Sequence, residues 1–197
     1  MKKIGTSIVL GISIAAAAVL AVRGESGGAG SAGRPIATIQ DIMTSLVDPP
    51  ADALWAAVSS SSSAAGEVIN EPRSEEEWKA ARRNAVALVE APNLLIMEGR
   101  KVARPGSSLE DANVAGILPA GDIQKKIDGD PQSFVERARA LQEAGKAALA
   151  AIDARDAKLL FEAGDRLDKA CEECHIRYWY PNDKRPPVPS NPNLAPK

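Results

Sequence analysis

Both cysteines of this 197-residue chain and its sole histidine stand together, as Cys171-Glu172-Glu173-Cys174-His175. A C-x-x-C-H run is the attachment signature of c-type haem, and the spacing has a physical reason. On a helix, residues three and four apart share a face. Two thiols there can reach one edge of a porphyrin and form thioethers with its vinyl groups. The imidazole of His175, on the same face, can ligate iron from beneath the ring. Glu172 and Glu173 are expected to point away. Competing uses of these residue types are weaker. A structural zinc site needs four Cys/His ligands and only three exist. A thioredoxin-like dithiol expects a βαβ context, and no such pattern is present. A bridge between Cys171 and Cys174 would close a tiny loop and stabilise little. The reading is one haem c, covalently attached through Cys171 and Cys174, with His175 as axial iron ligand.

The sixth iron position is open on these grounds. With a single His, bis-His ligation within one molecule is excluded. The candidates are Met43, Met97 or no protein ligand, because Met1 lies in the N-terminal export segment. Either methionine also reads as ordinary core packing. A thioether ligand raises the haem potential and suits electron transfer, whereas an open site binds small gases.

These residues must be positioned by helices. Aromatic residues make up 4% of the chain and alanine is abundant, a composition that favours close-packed helices. Ile39, Ile42, Met43, Leu46 and Val47 form a helical stripe from about Thr38 to Val47. Asp48-Pro49-Pro50 interrupts it, since a residue before proline avoids the α region and prolines lack an N–H. Ala51, Leu54, Trp55 and Val58 then resume the spacing, so the segment reads as one kinked helix or as two, with Asp48 capping the second. The serine run Ser59–Ser63 reads as a surface loop. Ser74 with Glu77 is a capping box opening a second helix through Trp78, Ala81, Ala85, Leu88 and Val89, which Pro92 should kink or end. Gly99 to Gly129 reads as a long loop, of the kind that often covers a site. Asp130-Pro131 opens a third helix, with Phe134, Ala138, Leu141, Ala148 and Ile152 on one face. A fourth begins near Asp156, and its seam is Leu160, Gly164, Leu167, Cys171, Cys174 and Tyr178. The short link between the last two predicts antiparallel neighbours. No strand pattern is evident. The fold class expected is all-α, an antiparallel four-helix bundle over residues 38–180 with the haem near its C-terminal helix.

Outside the bundle, Lys2 and Lys3 precede an uncharged run from Ile4 to Val22, which reads as an export signal over residues 1–22, cleaved after Ala21 or retained as an anchor. Residues 23–37 form a Gly/Ser-rich linker, and residues 181–197 a Pro-rich tail. The expected location is the periplasm, with the inner membrane as the site of any anchor. The formal net charge of −2 offers no basic field for nucleic acid. One His, used on iron, leaves no acid–base partner for catalysis, so no enzyme is expected. Arg177, two residues past His175, reads either as a partner of a haem propionate or as a solvated surface arginine.

Four helices with Cys171-Glu172-Glu173-Cys174-His175 on the last, preceded by Ala170 and followed by Tyr178, resemble the class II cytochromes c, which include high-spin cytochrome c-prime and low-spin members with His/Met ligation. The resemblance spans about Ile39 to Tyr180. It implies a distal methionine on the first helix, and Met43 is the matching residue. It also implies a periplasmic mono-haem one-electron carrier, or alternatively a high-spin protein binding NO or CO at an open sixth position. A third reading, in which haem merely staples a small bundle, ranks last. Redox partner proteins of the periplasm or inner membrane and the cytochrome c maturation machinery are the implied partners. Members of the family often pair through their first two helices, which leaves a homodimer open. Three features depart from the family: the Asp48-Pro49-Pro50 break, the long Gly99–Gly129 segment and the Pro-rich tail.

Overall fold

The structure, a computed structural model, describes residues 33–63 and 66–182. The export segment, most of the linker and most of the tail lie outside the described residues. The described residues are all-α apart from one small hairpin. Its elements are α1 (Ile39–Ile42), a π-helical turn (Met43–Val47), α2 (Asp48–Ala57), β1 (Ser60–Ser63), β2 (Gly66–Ile69), α3 (Glu75–Leu95), α4 (Ala120–Gly129), α5 (Pro131–Asp153) and α6 (Ala157–Tyr178). No described helix is long and apolar enough to cross a membrane.

The three long helices start where local chemistry dictates. Ser74 Oγ accepts from the Glu77 N–H while the Glu77 carboxylate accepts from the Ser74 N–H, a reciprocal cap that satisfies orphan donors of α3. Asp130 caps α5 through the Ser133 N–H, with Pro131 in the first turn, and Asp156 caps α6 through the Leu159 N–H. α5 packs against both α3 and α6, and α2 packs against α3 and α6. Their shared core includes Leu88, Leu54, Ala148, Leu160 and Leu167, all essentially inaccessible to water. Gly145 is required where α5 crosses α3: a Cβ there would lie 3.2 Å from the carbonyl carbon and oxygen of Leu88.

Three sequence expectations are corrected, and the two proline breaks take one of the forms expected for them. Of the two readings of the Asp48-Pro49-Pro50 break, the continuous one holds, because helical backbone runs from Ile39 to Ala57 without a gap. Pro49 and Pro50 have no N–H to return to the preceding turn, so the chain widens into a π turn, in which the Asp48 N–H donates to the Met43 carbonyl, and continues as α2. Thr44 aids the widening by donating its hydroxyl to the Gln40 carbonyl at 3.0 Å. Asp48 is the first residue of α2 and not its cap; Val47 holds the cap position and supplies no side-chain bond. The serine run is not a loop: Ser60–Ser63 pairs antiparallel with Gly66–Ile69, where Val68 and Ile69 supply the β-favouring residues. Pro92 is buried inside α3, which runs on to Leu95. The segment after Gly99 contains a helix, α4, whose Ile123 and Ile127 are buried one turn apart.

Residues 96–119 wrap the end of the molecule that carries the C-x-x-C-H motif. The Leu118 N–H donates to the Trp179 carbonyl at 2.8 Å, and the segment's own Val102 and Leu109 are buried. Its backbone also receives the first turn of α1: the Ile39 and Gln40 N–H groups donate to the Lys101 and Val102 carbonyls at 2.8 and 3.0 Å. These are donors that a helix start leaves without intrahelical partners.

Candidate functional site

Cys171, Cys174 and His175 lie on the last two turns of α6, one face of which is buried through Leu160, Leu167 and Ala170. All three are half-buried. Together with Met43, Leu95, Phe134 and Trp179 they line a narrow, overwhelmingly apolar cavity of about 30 Å³ between α1, α3, α5 and α6. A second cavity of about 90 Å³ shares Met43, His175 and Trp179 with the first and is bounded on its far side by Asp48, Glu110 and Asp111. Met43 and His175 thus stand on both cavities, and the two cysteines on the first.

The titration behaviour follows from this burial. Desolvation pushes the Cys171 thiol up to about 12, with the nearby Asp48 carboxylate adding to the effect. The Cys174 thiol is pushed up to about 11 by burial, against the opposing pull of the Arg137 guanidinium. Both are therefore thiols at neutral pH, the opposite of the lowered pKa that a reactive dithiol requires. Burial also lowers the His175 pKa, more than Glu172 and Asp111 raise it, so its imidazole is neutral and keeps a lone pair. Among the described residues, no group of three His, Cys, Asp or Glu side chains is arranged to hold a bare metal ion.

Charged neighbours fix the motif from outside. Glu173 receives the Arg137 guanidinium at 2.6 Å, and Glu172 accepts the Tyr180 hydroxyl at 2.5 Å. The two glutamates between the cysteines are half-buried and tied, and neither lines the cavity that holds Cys171, Cys174 and His175. The rings of Trp179 and Tyr180 flank the imidazole of His175, at centroid distances of 5.7 and 6.1 Å. Tyr178 is buried on the seam, edge-on to Phe134 at 5.5 Å. Arg177 is exposed and paired with Asp130 at 2.7 Å.

The structure separates the two candidate methionines. Met43 is the first residue of the π turn and is packed against the core beside the motif. Met97 lines a different cavity and not the one holding Cys171, Cys174 and His175; Ile39, Leu95 and Phe134 stand on both and form the wall between. The Met97 sulfur accepts a hydrogen bond from Arg100 at 3.1 Å.

Sequence reasoning missed Arg137, Asp48 as a cavity residue, and the pair Glu110 and Asp111. Arg137 was within reach: it falls three residues after Phe134 and one before Ala138, at the edge of the apolar face of α5. Glu110 and Asp111 carried no periodic signal, because only the path of the wrapping segment brings them to the site.

The donor set fits a covalently held porphyrin. Two thiols one helical turn apart, a neutral imidazole on the same face, an apolar wall and a thioether within one cavity are the groups that such a cofactor uses. No protein-family model matches the chain, and no curated protein or solved structure matches it.

Proposed function

We propose that the chain is an exported mono-haem c-type cytochrome of the class II kind, an antiparallel four-helix bundle that carries single electrons and catalyses no reaction of its own. Cys171 and Cys174 would hold one haem c through thioethers, and His175 and Met43 would ligate its iron. The observation that carries this reading is the meeting of Met43, from the first helical segment, with Cys171, Cys174 and His175 at one apolar cavity. Bound haem c supplies an iron that cycles between ferric and ferrous states.

The chain's own residues do the rest. His175, neutral because it is buried, offers its lone pair without first losing a proton. Met43 offers a soft, uncharged sulfur that favours the ferrous state and raises the potential. Ala170, Leu95, Phe134 and Leu141 exclude water, which lowers the local dielectric and reduces the reorganisation that accompanies electron transfer. Trp179 and Tyr180 pack about the imidazole and hold its ring orientation. The partners would be redox proteins of the periplasm or inner membrane, reached after export and haem attachment by the maturation machinery. The acidic groups Asp48, Glu110 and Asp111 beside the second cavity would favour a partner with a basic face.

The test is expression of the full chain in a host with cytochrome c maturation enzymes, followed by intact mass and absorption spectra of both redox states. The expected product carries one haem mass, resists acid–acetone extraction and shows a low-spin ferric spectrum with a weak far-red thioether-to-iron band. Met43→Ala is expected to abolish that band. A high-spin ferric spectrum that binds NO or CO without displacing a ligand would replace the carrier by the gas-binding alternative. A colourless product with the mass of the bare chain would reject haem altogether.

A further inference from the structure

Arg100 is the one buried arginine among the described residues, yet it lies on the wrapping segment and not at the motif. Its charged head has no carboxylate in the hydrogen bonds it makes. Nε donates to the Leu94 carbonyl at 2.6 Å, one terminal nitrogen donates to the Ala37 carbonyl, and the other donates to the Met97 sulfur at 3.1 Å. Burying a guanidinium on neutral acceptors is costly, so the contacts it makes are tightly determined. Two of them are structural. Leu94 lies in the last turn of α3, and Ala37 immediately precedes Thr38, the cap of α1. The adjoining residues Lys101 and Val102 accept the first N–H groups of α1, and Thr38 and Asp41 complete its cap with a reciprocal pair of bonds. Every free donor of the short helix that leads into Met43 is therefore taken by its own cap or by the segment that Arg100 anchors. The third contact engages the only other described thioether. Gly33 also lies close to Met97: a Cβ there would come within 2.9 Å of the Met97 methyl.

We propose that Arg100 is a positioning residue that selects the axial thioether: one guanidinium fixes the start of the helix presenting Met43 and retains the Met97 sulfur in a separate cavity. The inference rests on the haem reading above. α1 alone has four residues and no independent stability, so the place of Met43 depends on what holds its N-terminal end. Removing the guanidinium frees that end and lowers the fraction of molecules in which Met43 is at the cavity. Any external ligand for the same position then binds with higher apparent affinity, in proportion to the lost fraction.

The probe is imidazole titrated into the ferric holoprotein at neutral pH, read together with the far-red thioether band and a denaturation curve. Arg100→Met is expected to bind imidazole about tenfold more tightly than the parent and to show a weakened band, at a denaturant concentration where it remains folded. Arg100→Lys, which keeps a charge and a donor but not the fork, should fall between, at about threefold, and serves alone if Arg100→Met does not accumulate. Met97→Leu should leave both the band and the imidazole affinity at parental values. A folded Arg100→Met or Arg100→Lys holoprotein with the parental band and affinity overturns the inference while leaving His/Met ligation intact. A parent spectrum that Met43→Ala does not alter overturns the ligand assignment, and this inference with it.

Discussion

The α5–α6 pair and the α1–π turn–α2 segment meet at the same cavity but are built on opposite plans. α5 and α6 are long, capped by Asp130 and Asp156, and joined through only three residues. Their apolar residues recur at helical spacing, and burial of that stripe keeps them in register. The first segment has a four-residue helix, a π turn and two prolines, and its geometry is imposed from outside by residues 100–102. The regular pair holds the groups that must not move, Cys171, Cys174 and His175. The irregular segment presents Met43, the group whose position decides what else can reach the site. If the chain carries haem as proposed, the difference teaches that attachment and ligand choice would rest on separate parts of the molecule, so each could be broken alone.

The largest effect is expected at the regular pair. Cys174→Ala would remove one of the two proposed thioethers, and Cys171→Ala with Cys174→Ala would remove both. Intact mass should show full loss of covalent haem in the double variant, and organic extraction should release whatever remains. Retention of haem mass in the double variant would break the assignment of these sulfurs.

Next comes the scaffold beneath them. Leu167 lies one turn before Cys171 and is fully buried. Leu167→Ala deletes buried methyl groups and leaves a void between α6 and its neighbours, at a cost of about 3 kcal/mol. Denaturant unfolding followed by circular dichroism measures it. If the loss is below about 1 kcal/mol, the α6 seam is not the rigid member of the comparison.

How much of this was legible in the sequence depended on which plan a region follows. Ser74, Asp130-Pro131 and Asp156 announced three helix starts because capping is chemistry between residues three apart, visible in a linear chain. The motif was legible for the same reason. Pro92 lies inside α3 and the helix ends three residues beyond it, at Leu95; its cost there is offset by burial, which propensity cannot register. The hairpin was hidden because a serine run has no apolar alternation, and only its partner Gly66–Ile69 carries β-favouring side chains. α4 was hidden by glycines at both of its ends. The π turn was the least visible feature. The prolines predict a missing N–H donor, but not that the chain would absorb the defect by one wider turn. Arg100 was silent for a related reason, since its acceptors are two carbonyls and a sulfur, and Ala37 is brought to it only by the fold.

A smaller effect on stability, but a sharper one on the site, is expected in the irregular segment. Pro49→Ala restores an N–H where the wider turn now lies. A regular ladder becomes accessible, which would rotate Met43 relative to the cavity. Stability should change by about 1 kcal/mol or less, because one regained hydrogen bond is set against the loss of the ring that restricts the unfolded chain. The far-red thioether band should nonetheless weaken measurably in the ferric holoprotein. An unchanged band would show that Met43 is placed by packing alone and that the π turn has no part in presenting it.

The smallest effect separates the two regions by charge. Asp48 is exposed over much of its surface, yet it also lines the second cavity. Its carboxyl is pushed up from 3.8 to about 6, first by loss of water and then by Asp52, Glu110 and Asp111. A raised carboxyl pKa means that the folded chain holds the proton more tightly than the unfolded chain. The corresponding stability is fully present below pH 3.8 and is lost as the pH rises through about 6. Asp48→Asn keeps the shape and removes the charge. It should be more stable than the parent at pH 7, by about 1 kcal/mol or less given the screening at an exposed residue. The two denaturation curves should converge as the pH is lowered toward 4. A variant less stable than the parent at pH 7 would mean that the carboxylate is held by a favourable partner, and that the acidic side of the site stabilises the fold instead of straining it.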